Sequence, residues 1–522
     1  MFTEWLPWTP GNFFSVEYFF CWVRSKPVNL TAMKIRNILL LLTVAALHGQ
    51  ALAQKNNPFR EIEKIVTLEE TEPPLRFLAA DEMRGRDTGS PELNIAANYI
   101  ASQFQRWNVS KVPGVNSYFQ QVPLEKRKGP QSASLQVGTA SVMLNTDIIV
   151  LNSDQVNWSG ELEMITSDDE ITASLKDKVA VYIMSGDETL SFSRARTASS
   201  LRYAKLNSFG AAGLIEIVQK LPNPWETLVA RYAESVLSIR KDEKLMPRLW
   251  MRSSDNEVIR LLQTKKSVTG SLQINREPAR QLHTKNVVGF IAGTDPKLRE
   301  EYIMICAHYD HLGVGKPVAG DSIYNGARDN AVGTVAMLSA AQYFSKFPAK
   351  RSLLFMACTA EERGLLGSEW YVEHPLVPLN KTVFNVTADG AGYNDKTRAI
   401  VLGMDRIDKN DAIAQACTAA GLQASDNLKP EMDFYGGSDN FPFAKKGVTA
   451  VDFSPGFTGF GPDITKYYHQ PADNPDDLDY QYLLKYFKAF VFTNHLIANM
   501  DIVPFWKAGD GFEAAGRGLY KK

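Results

Sequence analysis

Residues 301–308 read EYIMICAH and run on into YDHLG (309–313). DNAVGTVAMLSAAQYFSKF (329–347), RSLLFMAC (351–358), GLLGSEWYVEH (364–374) and KTVFNVTAD (381–389) follow. The short segments are apolar almost throughout, the pattern of strands buried on both faces. The long segment between the first two carries apolar residues at helical spacing. TKNVVGFIAG (284–293) opens this region with another strand-like run. Strands that alternate with helices predict an α/β layer fold with a mostly parallel central sheet.

In such sheets ligands bind beyond the carboxyl ends of the strands. Reading each strand to its end gives His308, continuing YDHLG; Asp329, just before the long helix; Glu361 and Glu362, side by side in CTAEERGLLGS (358–368); Asp389, before GAG; and, later, His469 in KYYHQPADN (466–474). Singly, each has an ordinary explanation. Asp329 suits a helix N-cap, Asp389 a turn, His469 the surface, and the Glu pair a solvated loop. Together, imidazoles and carboxylates at successive loops of one sheet edge supply nitrogen and oxygen ligands for two zinc ions. Two adjacent carboxylates repel in a desolvated site unless cations sit nearby. Metal would make the pair tolerable, with one glutamate as ligand and its neighbour as general base.

HYDHLG, NGARDNAVG, TAEERGLLGS, ADGAG and YYHQPADN resemble, in that order, the motifs of the co-catalytic zinc exopeptidases. That family includes bacterial leucyl aminopeptidase, aminopeptidases S and Y, and glutamate carboxypeptidases. The likeness covers roughly residues 284–500, with a flanking piece near 85–125. It implies a three-layer α/β/α fold and two Zn2+ per chain. His308 and Glu362 or Asp389 are the implied terminal ligands, Asp329 the bridging ligand and His469 the last. The usual pairing in the family sets His308 with Asp389 and Glu362 with His469. Glu361 matches the catalytic base, and Asp310 the carboxylate that fixes the tautomer of the first histidine. His311 and His374 match no ligand position and are expected to be structural. MDFYGGSDNFPFAKKGVTAVDF (432–453) resembles the family's specificity segment. There Tyr435 is either the hydroxyl that supports a tetrahedral oxyanion or a packed aromatic. Asn440 stands where many members have histidine.

Residues 132–275 have a different texture, with short strands and turns and no histidine. KDKVAVYIM (176–184), ARTASSLRYAKLNSFGA (195–211) and AGLIEIVQ (212–219) form a β-α-β pattern. Position and pattern resemble an inserted protease-associated domain, whose implied role is to lid the cleft or limit substrate length. The peptidase domain is expected to comprise 54–131, with a helix over 91–109 and a strand at SYFQQVPLEK (117–126), and 276–505, followed by a tail at 506–522.

Residues 33–53, MKIRNILLLLTVAALHGQALA, have the basic start, apolar middle and small-residue end of a secretory signal peptide. They begin at Met33, so 1–32 read as an upstream extension from a mis-assigned start. The expected product is secreted or periplasmic, with no stable membrane insertion after cleavage. A net charge of −1 and no long basic stripe give no sign of nucleic-acid binding. Cysteines 21, 306, 358 and 417 show no metal or disulfide spacing. The function expected is an exopeptidase on peptide substrates, foremost an aminopeptidase. A carboxypeptidase or dipeptidase would need a cationic clamp, for which Arg328 and Arg363 are candidates. A single-zinc glutaminyl cyclase and a non-catalytic relative are the remaining alternatives.

Overall fold

Every residue from Ser352 to Cys358 is buried, because that strand lies inside a nine-stranded sheet. A computed structural model of the chain describes residues 57–240, 243–254, 257–426 and 434–521. The signal segment at 33–53, the extension at 1–32 and Cys21 lie outside them. The strands of the large sheet, numbered along the chain, are β1 (Phe119–Arg127), β2 (Val236–Ile239), β3 (Arg280–Ile291), β4 (Tyr302–His308), β5 (Ser352–Cys358), β6 (Thr382–Ala388), β7 (Arg398–Leu402), β8 (Gln423–Ser425) and β9 (Ala450–Pro455). Their spatial order is β8-β7-β9-β6-β4-β5-β3-β1-β2.

The centre is parallel, and so is the edge pair β7–β8. β9, β6, β4 and β5 run the same way, whereas β3, β1 and β2 on one flank and β7 on the other join antiparallel. The sheet is therefore mixed, which corrects the mostly parallel reading. The physical difference shows in burial. β4 and β5 are buried on both faces, while β1 largely alternates inward and outward, as antiparallel flanks do.

Helices α1 (Leu68–Leu78), α2 (Pro91–Arg106), α3 (Val332–Lys346), α4 (Leu366–Glu373), α5 (Asn440–Lys445) and α6 (Tyr480–Asn499) complete the layers. α2 starts where its sequence says it should: Ser90 Oγ accepts from the Leu93 amide at 3.0 Å, with Pro91 in the first turn. α3 is buried from Val332 to Phe344 without a break, flanked by β4, β5 and β6 and by α1 and α6. At roughly 1.5–3 kcal/mol per fully buried large apolar side chain, this helix fixes the loop that precedes it.

Residues 132–275 build an eight-stranded sheet of their own. Its core includes Leu135, Val181, Ile215, Leu249 and Leu272. The β-α-β unit is there: Val179–Met184, a helix over Phe192–Ser208 and Gly213–Val218, with the two strands parallel. Buried Arg202 bonds to Asp168 (2.7 Å), Glu216 (2.6 Å) and Glu188, so its charge is satisfied locally. The 132–275 interval nevertheless encloses β2, which pairs with β1 through Leu124 and Ile239. The stretch after 505 is no loose tail either. Trp506 is buried, and the Tyr520 hydroxyl donates to the Thr382 carbonyl at 2.6 Å. Among the described residues no helix is long and apolar enough to cross a membrane.

Candidate metal centre

The ends of β4, β5 and β6 and two loops bring six of the sequence-predicted side chains together. His308 is the last residue of β4, and Cys358, its register partner on β5, leads through Thr359 and Ala360 to Glu361 and Glu362. Ala360 has φ 56° and Leu365 φ 61°, both left-handed, so the chain turns sharply on either side of the glutamate pair. Asp389 follows the last residue of β6.

Asp329 does not cap α3. Asn330 takes that part: its Oδ1 accepts from the Gly333 amide at 2.9 Å and its Nδ2 donates to the Ala388 carbonyl at 2.9 Å. Gly333 is required there, since a Cβ would collide with the Ala388 oxygen and the Asn330 side chain. The Asp329 carboxylate is thereby left to the site. Its Oδ1 lies 3.3 Å from His308 Nε2 and its Oδ2 lies 3.3 Å from His469 Nε2. His308 Nε2 is also 3.1 Å from Asp389 Oδ1, and His469 Nε2 is 3.3 Å from Glu362 Oε2. These are the two imidazole–carboxylate pairings implied by the resemblance, joined through one aspartate.

The donor set fits zinc. Neighbouring ligands of a tetrahedral ion with bonds of about 2.0 Å stand about 3.3 Å apart, the spacing found here. Charge argues the same way. Asp329, Glu361, Glu362 and Asp389 crowd around two imidazoles in a largely buried site, which calls for added positive charge. His308, His469 and the carboxylates register this strongly. Burial alone would lower the His308 pKa, but Asp389 and Glu361 drive it well above the usual value. Burial would lower His469 too, yet Asp329 and Glu362 raise it to about 10. Burial and Asp329 push Glu362 upward, and bonds to His311 and His469 overcome them, leaving it at about 2. Glu361 goes the other way: burial, with Asp389 and Glu362 adding to it, raises its pKa well above the ordinary value despite His308. Its Oε2 stands 3.9 Å from His308 Nε2.

Three residues differ from the first parts expected of them. Asp310 fixes the His308 tautomer with its main-chain oxygen, 3.1 Å from Nδ1, while its carboxylate is 3.9 Å away. That carboxylate accepts instead from the Glu361 amide (3.1 Å) and the Thr88 hydroxyl (3.0 Å). His311, read as merely structural, places Nδ1 2.6 Å from Glu362 Oε1 and so orients the glutamate that faces His469. Tyr435 is the packed aromatic. Its hydroxyl donates to the Ala450 carbonyl at 2.9 Å, and it is 6% exposed against Arg406 and Phe512. Asn440 holds the Tyr435 carbonyl at 3.0 Å. Tyr468 was missed. It lines the cavity with its ring stacked on His469, centroids 3.9 Å apart. Its place directly before that histidine was the only available signal. His374, as expected, stacks on Trp370 and stays out of the cluster.

Asp473, the aspartate of HQPADN, locks the two loops. Its carboxylate accepts from the amides of Arg328 (2.9 Å) and Asp329 (3.1 Å) and from Arg328 Nη1 (3.0 Å). Arg328 lies under Tyr467 and also donates to the Asp477 carbonyl, so it is no substrate clamp. Arg363 is paired with Asp87 at 2.5 Å. Buried Arg86, its pKa lowered by burial to about 10, donates to the carbonyls of Leu78, Tyr309, Asn325 and Gly326 beneath the site.

Above the cluster opens a cleft of about 500 Å³. Among the described residues that line it, Lys445 is the one Lys or Arg, and it is paired with Glu369 at 3.0 Å.

Residues 286–492 match the profile of Peptidase family M28. Aminopeptidase YwaD of Bacillus subtilis is 26% identical over 251 residues, 46% of this chain and 52% of that protein. The vacuolar membrane protease of Saccharomyces cerevisiae is 32% identical over 109 residues, 21% of this chain and 10% of that protein. The chain thus spans about half the first relative's length and a tenth of the second's. In fold, it is similar to an aminopeptidase from Aneurinibacillus sp. strain AM-1, with a TM-score of 0.50 at 19% identity, over 87% of this chain and 98% of that one.

Proposed function

We propose that this chain, which carries a Peptidase family M28 domain over residues 286–492, is a two-zinc aminopeptidase that removes N-terminal residues from short peptides. The observation that carries this reading is Asp329, whose two oxygens each face a different imidazole at 3.3 Å. His308, Asp389 and Asp329 would hold one ion, and His469, Glu362 and the same Asp329 the other. Zinc bound at such a centre supplies Lewis acidity toward a carbonyl oxygen and acidifies water.

The chain's own groups do the rest. Glu361 lines the cleft beside His308 and is assigned to no metal. It takes the proton from the attacking water and returns it to the leaving amine. Asp310 sets where Glu361 sits, through the amide. The Tyr468 hydroxyl, on the cleft wall beside His469, is the donor for the oxygen that gains charge.

The cleft's charge favours the amino end of a peptide. The charged side chains that line it are mostly carboxylates, and its one described Lys is already paired, so nothing described there would clamp a C-terminal carboxylate. The 33–53 segment supports an exported enzyme. The 132–275 sheet, tied to the peptidase sheet through β2, suits a protease-associated insert that limits substrate length. The test is a panel of aminoacyl, N-acetylated and C-terminal dipeptide substrates with the zinc-loaded protein. Cleavage of N-acetylated substrates as fast as free ones would reject the aminopeptidase assignment.

A further inference from the structure

One part of the cleft has no task in the mechanism. On β9, Asp452 and Ser454 point to the same side of the strand, since side chains two apart share a face. With Ser438 they line the cleft while remaining 5%, 1% and 5% exposed. Asp452 Oδ1, Ser454 Oγ and Ser438 Oγ each lack a hydrogen-bond partner among the described residues. Buried polar atoms are nearly always paired, and an unpaired carboxylate oxygen is the costliest kind to leave so. Three such atoms along one cavity describe a place for a donor that the chain does not itself supply.

The donor's charge and reach follow from the surroundings. Lys445, the one described Lys or Arg on the cleft, is engaged with Glu369. Asp452 stands opposite Thr387 in the β6–β9 register, two residues before Asp389. At about 3.3 Å per residue its backbone lies roughly 6–7 Å below the rim that carries the metal ligands, about the depth a four-carbon stem spans, while Ser454, two residues on, stands beside Gly390 at the rim. Leu402, across from Asp452 on β7, and Phe434, Phe441 and Phe457 offer the apolar walls such a stem packs against.

We propose that Asp452 forms the floor, and Ser438 and Ser454 part of the wall, of a side-chain subsite for a cationic N-terminal residue, so that the preferred substrates are peptides beginning with Lys or Arg. This rests on the aminopeptidase reading above. The carboxylate receives the ammonium or guanidinium, and the two hydroxyls offer further acceptors along the wall. No bond is made or broken here; the subsite sets which residue is presented to Glu361.

The experiment compares 4-nitroanilides of lysine, arginine, norleucine and leucine with the zinc-loaded enzyme. Norleucine keeps the stem of lysine and lacks its charge. The expected result is a kcat/KM for lysine at least about tenfold above norleucine, and a lysine-to-norleucine ratio reduced at least tenfold in Asp452→Asn. Inhibition of the wild type by lysinamide against norleucinamide reads the same preference without any variant. Equal or better use of norleucine and leucine by the wild type would overturn the subsite and leave the aminopeptidase reading standing. A ratio unmoved by Asp452→Asn would also overturn it. Hydrolysis of none of the four would reject the aminopeptidase reading, and the subsite with it.

Discussion

The Glu361 amide donates to Asp310 Oδ1 at 3.1 Å, while the Asp310 main-chain oxygen, not its carboxylate, meets His308 Nδ1 at 3.1 Å. One residue therefore serves metal ligand and base through different atoms, and a substitution separates the two. In Asp310→Ala the carbonyl remains and the carboxylate goes. Zinc content should stay near wild type, while kcat falls about tenfold to a hundredfold as Glu361 loses its anchor. Asp310→Asn, which keeps an acceptor oxygen, should recover most of the rate. Metal analysis showing a zinc affinity weakened about 10–100-fold in the alanine variant would mean that the carboxylate orients His308 after all.

Glu361 and Glu362 should behave as opposites. Glu361→Gln keeps size and cannot accept a proton, so turnover should drop by about 10²–10⁴ with zinc retained. Glu362 faces both His469 and His311. Glu362→Gln should lose zinc first and activity as a consequence, because a neutral amide is the poorer ligand. Metal content and single-turnover rates on both variants decide it. Zinc loss confined to Glu361→Gln would reverse the two roles.

The ligand set was legible because it sits where unbroken apolar runs stop, and buried strands such as β4 and β5 announce their ends by the first polar residue. What depended on side-chain direction was not legible. Nothing in HYDHLG distinguishes the Asp310 carbonyl from its carboxylate, and nothing there sends His311 toward Glu362. The fold had the same limit. β2 is only four residues long, too short for its pattern to reveal that it leaves the inserted sheet to pair with β1. Motif position favoured Tyr435 over Tyr468 for the same reason. His469 has φ 56°, and in that left-handed turn the preceding tyrosine ring lies over the imidazole, where strand alternation would have sent it away.

The two tyrosines give a paired test. Tyr468→Phe should lower kcat about tenfold to a hundredfold with little change in zinc content, as expected on losing one donor to a charged transition state. Tyr435→Phe should leave kcat unchanged and cost about 1 kcal/mol of stability, because its hydroxyl is spent on the Ala450 carbonyl. Steady-state kinetics beside denaturant unfolding reads both. The reverse pattern would return the oxyanion role to Tyr435.

Chelated protein should show a pH signature that zinc erases. The His469 pKa is raised to about 10 by Asp329 and Glu362 against its burial. A raised folded pKa contributes stability that is complete below the unfolded value near 6.5 and is lost as pH climbs toward 10. Glu362 is held at about 2 by His311 and His469 against its burial. Its contribution is complete above about 4.5 and disappears as pH falls toward 2. The metal-free site is therefore at its best between about pH 4.5 and 6.5 and weakens on both sides. His469 is partly open to solvent, so screening keeps the effect small, on the order of a degree or two in Tm between pH 6.5 and 9.5. With zinc bound, the imidazole is already unprotonated at its ligand nitrogen, and the alkaline loss should vanish. Thermal melts with and without chelator test this, and His469→Ala should flatten the chelated profile. A chelated variant that keeps the full alkaline slope would place its origin elsewhere.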